Sequence, residues 1–302
     1  MAAVAESSAI SLRGVVKRFG QVTAVNGLDL EVPAGTCFGL LGPNGAGKST
    51  TMRMLTGQAR ADEGEIRVMG HVLPAGSKQA RIEMGVVPQL DNLDVELTTR
   101  QTLGVFARIY RVPGRERRAA VDRALQIANL TNRADTRVSE LSGGMRRRLL
   151  IARGLIHDPR LVLLDEPTVG LDPQVRQELW GLIDRLRTSG VTVLMSTHYI
   201  EEAERLADTV AVMSHGRIVA LGRPEEVVLA EAGEQALEVY GTPDHLEAIK
   251  RQADEAGWRT RRSGPAVVIM RAEQLDGDAP DGVRRPANLE DAFVMLTGEQ
   301  IE

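Results

Sequence analysis

Cysteine is nearly absent. Cys37 is the single one in 302 residues, so no internal disulfide forms, and the reducing cytosol is the natural compartment. It stands between Thr36 and Phe38 in an apolar run, where a thiol acts as a small buried hydrophobe. Long hydrophobic runs are missing as well. Stretches such as Leu161–Leu164 fall far short of the ~20 residues that a membrane helix needs. Met1–Ile10 carries neither the basic start nor the apolar block of a signal peptide, so any action at a membrane comes from outside the bilayer. A charge excess is lacking too: 37 basic against 41 acidic residues leave a formal charge of −4, which gives no electrostatic case for wholesale nucleic-acid binding. The run Arg146-Arg147-Arg148 reads as a solvated helix face. No internal repeats are visible.

What is present suits a globular chain, with 43% hydrophobic and 26% charged residues. That length and composition suffice for one full-sized domain plus a small appendage. Ile10–Phe19 and Leu28–Val32 alternate as strands do, and Pro33-Ala34-Gly35 makes a turn. Phe38–Leu41 is a continuous apolar run of the kind found in buried parallel strands. Thr50–Thr56 reads as a helix stopped at Gly57, followed by short strands at Gly64–Met69 and Met84–Val87. From Thr98 to His157 the period becomes helical, with Leu103, Val105, Phe106, Ile109 and Tyr110 on one helix. Val121, Leu125, Ile127 and Leu130 mark a second, beyond the Val112-Pro113-Gly114 break. Strand–helix alternation resumes at Leu161–Leu164, Val175–Arg187, Val191–Met195, Ile200–Ala207 and Thr209–Met213, implying a parallel sheet covered by helices. After Val228 the pattern thins to strands at Ala236–Tyr240 and Ala266–Met270 with a helix at Asp244–Ala256. A loop at Asp276–Pro286 and a short helix at Asn288–Leu296 follow.

Gly42-Pro43-Asn44-Gly45-Ala46-Gly47-Lys48-Ser49 fits G-x-x-x-x-G-K-[ST] between an apolar strand and a helix. Glycines let the backbone turn its N–H groups toward phosphate oxygens, and the helix start adds its positive dipole end. Lys48 is placed to bridge the β- and γ-phosphates, and Ser49 to offer a hydroxyl to Mg²⁺. Leu161–Leu164 then delivers Asp165 and Glu166 at a strand end, where open α/β sheets bind ligands. Asp165 suits the Mg²⁺ shell, and Glu166 suits a general base that polarises the attacking water. His198, after the strand Val191–Met195, is placed to reach the γ-phosphate or that water. Gln89 can read the metal or the water with a neutral amide.

Leu141-Ser142-Gly143-Gly144-Met145, just before a helix and some twenty residues ahead of the paired carboxylates, resembles the signature of ABC ATPases. The other motifs occur in that family's order over roughly Ile10 to Glu226. The resemblance assigns Phe19 to adenine stacking, Gly42–Ser49 with Thr50 to the phosphate loop, and Gln89 to the Q-loop. It assigns Asp165 and Glu166 to the second nucleotide motif, Asp172 to the D-loop and His198 to the switch histidine. Met145 stands where the family most often has Gln. Ser142, the backbone of Gly143 and Gly144 and the helix dipole are expected to keep the phosphate contacts regardless. The resemblance implies a P-loop NTPase with a RecA-like parallel core sheet, an antiparallel N-terminal β subdomain and an inserted helical subdomain at about 92–158. The ATP-binding domain is expected over 8–232 and a small α+β C-terminal extension, accessory or dimerising, over 233–302. ATP and Mg²⁺ are the implied ligands. A homodimer is implied as well, in which the signature of one chain closes over the nucleotide of the other.

The run Val87–Leu93, the Gly-Met signature and the tail Asn288–Phe293 with Leu296-Thr297-Gly298 resemble the ATP-binding subunits of daunorubicin-type drug-resistance exporters and of nodulation-signal exporters. That subgroup implies a separate six-helix permease of the ABC-2 type and a place on the cytoplasmic face of the cell membrane, hydrolysing ATP to drive efflux of a drug, lipid-like or other amphiphilic compound. Two other readings compete. A soluble ABC ATPase of DNA repair or translation would carry coiled-coil insertions, zinc-binding cysteines or two cassettes, and none is seen here. A regulator that binds ATP without turnover is disfavoured by the presence of Glu166 and His198.

Overall fold

The structure is a computed structural model that describes residues 8–275 and 279–298. Residues 1–7 of the N-terminal stretch and 276–278 of the expected loop lie outside these, as do residues 299–302.

The chain opens with two long strands, β1 (Ser8–Phe19) and β2 (Val22–Pro33), paired antiparallel. β3 (Cys37–Leu41) is buried along its whole length and feeds the Gly42–Gly47 loop, after which α1 (Lys48–Leu55) begins. β4 (Glu63–Val68) returns to pair with β1. The short β5 (His71–Leu73) and α2 (Ser77–Glu83), which the sequence did not announce, lead to β6 (Met84–Val87). Three helices come next: α3 (Thr99–Ile109), α4 (Arg117–Ile127) and α5 (Gly143–Gly154). A capping box at Thr98 and Gln101 starts α3 by satisfying two otherwise unpaired backbone N–H groups.

Alternation then resumes with β7 (Leu161–Asp165), α6 (Pro173–Thr188), β8 (Thr192–Thr197), α7 (Ile200–Leu206), β9 (Thr209–Ser214), β10 (Arg217–Gly222) and α8 (Pro224–Glu231). The remainder comprises β11 (Gln235–Tyr240), α9 (Pro243–Ala256), β12 (Thr260–Ser263), β13 (Ala266–Met270), β14 (Val283–Pro286) and α10 (Leu289–Thr297).

Three sheets result among the described residues. The first runs β2-β1-β4-β5 and the third β12-β13-β11-β14. The central one runs β10-β9-β3-β8-β7-β6, parallel from β9 through β6 with β10 added antiparallel at its edge. Its parallel strands read as largely apolar runs because both faces are covered, whereas β10 at the edge has no fully buried residue. On β7, Leu161 and Leu163 join a core with Phe38, Leu40, Met54 and the first sheet. Val162 and Leu164, pointing the other way, pack with Leu179, Trp180 and Ile183 of α6 and Leu150 of α5. α3, α4 and α5 share their own core around Leu103, Leu125 and Leu149. On the expected helical stripes Leu103, Val121, Leu125 and Leu130 are buried, but Val105, Ile109 and Ile127 are exposed.

α10 returns from the third sheet to the central one. Phe293 and Leu289 are buried with Val210 and Val212 of β9 and Val227 of α8. An ionic cluster braces this return. Asp291, with no exposed surface, accepts from Arg261 Nε at 2.8 Å and from Arg285 Nη1 at 2.6 Å, while Arg261 also reaches Glu290. The backbone N–H of Leu289 donates to Glu204 of α7 at 2.8 Å.

Candidate functional site

The parallel strands β3, β7 and β8 end side by side, so the segments that follow them share one edge of the sheet. The loop after β3 depends on glycine. At Gly42 a Cβ would lie 2.5 Å from the Met213 carbonyl oxygen, and at Gly47 it would lie 2.4 Å from that of Ala24. Gly47 also has φ +105°, and Gly45 has +85°, backbone that side chains disfavour. Gly47 caps α1, whose first N–H groups have no partner inside the helix and point out of its N-terminus. A cradle of this shape, with no room for a Cβ at Gly42 or Gly47 and with the free N–H groups of the α1 start facing it, fits polyphosphate. Ser49 and Thr50 are partly exposed within it.

Lys48 is 3% exposed. Its Nζ donates to the carbonyls of Gly42 at 2.6 Å and Pro43 at 3.0 Å and lies 3.7 Å from Glu166 Oε1. Burial pulls the ammonium below its ordinary value, and the facing Glu166 and Asp165 carboxylates work against that shift.

Glu166 is the focus of the site. Gln89 Nε2 donates to its Oε2 at 2.8 Å, and His198 Nδ1 lies 3.4 Å from its Oε1. His198 Nδ1 is shielded from solvent and makes no hydrogen bond. Asp165 Oδ1 accepts from the Ser196 hydroxyl at 2.5 Å, and that hydroxyl accepts from the Glu166 backbone N–H at 3.1 Å. Ser49, Gln89 and Asp165 offer a hydroxyl, an amide oxygen and a carboxylate, hard oxygen donors that suit Mg²⁺ alongside phosphate oxygens. Lys48, Gln89, Asp165, Glu166 and His198 are thus brought together. Strand β8 runs two residues further than its apolar run suggests, so His198 is the first residue past its end.

The remaining candidates stand elsewhere. Phe19 ends β1 half-exposed, with Lys17 Nζ 5.2 Å from its ring centroid. Ser142 caps α5 by accepting from the Met145 N–H at 3.3 Å, and Asp172 caps α6 by accepting from the Val175 N–H. Ser142 and Gly143 are exposed. Gly144 is packed so tightly that a Cβ would lie 2.6 Å from Val175 Cγ1. Among the described residues no hydrogen bond joins Ser142, Gly143 or Gly144 to the Gly42–Ser49 loop. Met145 turns its side chain toward the core of the three helices.

Besides Ser196, two residues escaped the sequence reading. Arg147 is no part of a solvated face: it is 7% exposed and donates only to backbone carbonyls. The signal was its register, since it shares a helix face with the buried Leu150 and Ile151. Glu202 of α7 is wholly buried. It accepts from the Thr168 hydroxyl at 2.6 Å, from Trp180 Nε1 at 3.3 Å and from the Thr197 hydroxyl at 2.5 Å. It thereby ties the loop after Glu166 to the residue before His198.

Comparison with known proteins agrees with this fold. The ABC transporter family matches residues 25–169. The Nod factor export ATP-binding protein I of Rhizobium meliloti (strain 1021) is 46% identical, over 97% of this chain and 89% of that protein. Its namesake in Ralstonia nicotianae is 44% identical, over 97% and 94%. A dimeric ATP-binding cassette in a post-hydrolysis state with ADP and Pi superposes with a TM-score of 0.64 at 28% identity, over 71% of this chain and 98% of that one. A Clostridium perfringens chain, cbiO1, part of an ABC transporter complex, gives 0.69 at 27% identity, over 83% and 98%. The fold is that of a P-loop NTPase.

Proposed function

Since the chain belongs to the ABC transporter family, as an ATP-binding and ATP-hydrolysing subunit of an exporter that works as a dimer with a separate membrane permease, we propose the roles of its residues and the kind of cargo it drives. The chain uses ATP and Mg²⁺, and no helix among its described residues is long and apolar enough to cross a membrane.

In this reading Gly42–Thr50 holds the phosphates through backbone N–H groups, with Lys48 on the β- and γ-phosphates and Phe19 against the adenine. Ser49, Asp165 and Gln89 would hold Mg²⁺, which would supply positive charge against the phosphate oxygens. Glu166 accepts a proton from the water whose oxygen attacks the γ-phosphorus as the bond to ADP breaks. His198 orients that water or the γ-phosphate. The observation that carries the reading is the convergence of Gln89, Lys48 and His198 on the one buried carboxylate of Glu166. Ser142, Gly143 and Asp172 stand apart, on exposed helix starts suited to a partner's nucleotide, with Gly144 packed just behind the first of them. A homodimer with two shared sites follows, each completed by the other chain's signature.

The export of Nod factor by the 46%-identical relatives supports efflux of an amphiphilic signal or drug through an ABC-2 type permease, with this subunit on the cytoplasmic face. We divide the chain into an ATP-binding domain at 8–232, including the helical part at about 92–158, and an accessory unit at 233–302. The test is Glu166→Gln. The variant is expected to bind MgATP, to lose at least a hundredfold in turnover and to accumulate as an ATP-bound dimer. Turnover equal to wild type would refute the assignment. Co-elution in detergent with a co-expressed six-helix permease checks the exporter reading, and sedimentation with ribosomes or DNA instead would overturn it.

A further inference from the structure

Arg147 has surroundings that none of these roles explains. It lies in the second turn of α5, whose N-cap is Ser142. Nε donates to the Pro167 carbonyl at 2.6 Å, and Nη1 donates to Pro88 at 2.6 Å and Gln89 at 3.2 Å. Nη2 donates to Asp165 at 3.1 Å and Glu166 at 3.0 Å. An arginine has five N–H donors and no acceptor, so the fork is saturated, and by backbone alone. Burial lowers its pKa to about 10, which leaves it a cation at neutral pH. Removing a cation from water is costly, and a site that needed only filling would be served by an apolar side chain of similar volume.

What the fork grips is the machinery itself. Glu166 has φ +45°, a region sparsely populated by residues other than glycine. It is clamped from two sides. Its N–H donates to the Ser196 carbonyl and hydroxyl, each at 3.1 Å, and its carbonyl accepts from Arg147. The same guanidinium holds the carbonyl of Gln89, whose amide reaches the Glu166 carboxylate.

We infer that Arg147 is a positioning residue that couples the two ATP sites of the dimer. It ties the signature end of α5, which faces the partner's nucleotide, to Gln89 and Glu166 of its own chain. A helix is stiff over the turn that separates Ser142 from Arg147. When α5 shifts to engage ATP held by the partner, the fork carries the carbonyls of Gln89 and Glu166 with it. Binding in one site thereby sets the carboxylate in the other. This rests on the assignment of Glu166 as base and Ser142 as the partner-facing cap.

The experiment compares the full-length wild type with Arg147→Lys, Arg147→Met and Glu166→Gln, measuring MgATP affinity, kcat, KM, the Hill coefficient for ATP and the melting temperature. Lysine keeps the charge but offers three donors from one point, which cannot span five carbonyls on two loops. The expected result is a cooperative wild type, and a lysine variant with KM within twofold, kcat down at least tenfold and a Hill coefficient near one. Methionine should do the same, and if it fails to fold, lysine carries the comparison. A non-cooperative wild type, or a lysine variant with wild-type turnover and cooperativity, overturns the proposal. So does a lysine variant whose losses vanish at a temperature where it is fully folded. Full turnover by Glu166→Gln would instead strike the assignment of the base, an outcome that the Arg147 variants do not produce.

Discussion

Replacing Glu202 separates what its buried carboxyl does for stability from what it does for turnover. Glu202→Ala strands the Thr168 hydroxyl, Trp180 Nε1–H and the Thr197 hydroxyl, all buried and all bonded to that one carboxyl. A buried donor left without a partner costs about 1–3 kcal/mol. The two hydroxyls can rotate toward other acceptors and so belong at the low end, while the indole cannot. The sum is about 3–5 kcal/mol, a large share of the ~5–15 kcal/mol that holds a domain folded. Glu202→Gln is nearly isosteric. Its oxygen keeps Thr168 and Trp180, but an amide NH₂ now faces the Thr197 hydroxyl, which must turn its proton elsewhere; one bond is lost, for about 1–2 kcal/mol. Thr197 immediately precedes His198, and Thr168 lies two residues beyond Glu166. The glutamine variant is therefore expected to fold, to bind MgATP as wild type does, and to turn over about tenfold more slowly, equivalent to ~1.4 kcal/mol. Chemical unfolding followed by tryptophan fluorescence reads the first quantity, and steady-state phosphate release reads the second. A glutamine variant equal to wild type in both would refute the idea that Glu202 holds the two loops in register.

Gly144→Ala places a methyl group 2.6 Å from Val175 Cγ1. The β-branched valine has no free rotamer to escape into, so α5 must shift away from α6, at a cost of about 1–3 kcal/mol. ATP-driven dimerisation, followed by light scattering, should weaken while monomer affinity for ATP holds. Asp291→Asn removes the charge facing Arg261 and Arg285 and should destabilise the chain by about 3 kcal/mol at neutral pH. The Asp291 carboxyl loses favour through burial but is held below its ordinary 3.8 by the two guanidiniums. Its contribution is therefore complete above that value and lost as pH falls through the lower folded one. Melting curves of variant and wild type should converge in acid and diverge toward neutrality, and a gap independent of pH would refute the assignment.

The parallel strands of the central sheet were legible because they are apolar on both faces. Leu161–Leu164 and Phe38–Leu41 stand out as runs, and the residues that follow them are the ones proposed for the chemistry. Elements made by pairing rather than by pattern were not legible. β12 is Thr-Arg-Arg-Ser and β14 is Val-Arg-Arg-Pro; neither carries an apolar stripe, and the second fell inside a stretch that reads as a loop. Both exist because β13 and β11 offer backbone partners. Within the site, the residues proposed to bond ligand were visible as motifs. Ser196, Glu202 and Arg147, which hold those residues in place, bond to backbone, to buried hydroxyls, to the Trp180 indole and to the Asp165 carboxylate. They leave no spacing to read, and only the helix register of Arg147 hinted at burial.

The return of α10 to β9 has a consequence in time. Chains emerge from the ribosome N-terminus first, so every residue proposed to touch ATP is made long before Phe293. Until Leu289–Thr297 arrives, Val210 and Val212 of β9 lack the cover of Leu289 and Phe293. A growing chain can thus assemble its phosphate loop early, yet it finishes the wall behind that loop among its last steps. Chains broken off after β10 would hold a complete set of nucleotide motifs on a sheet with a sticky back, and quality control would meet that apolar surface before any permease did.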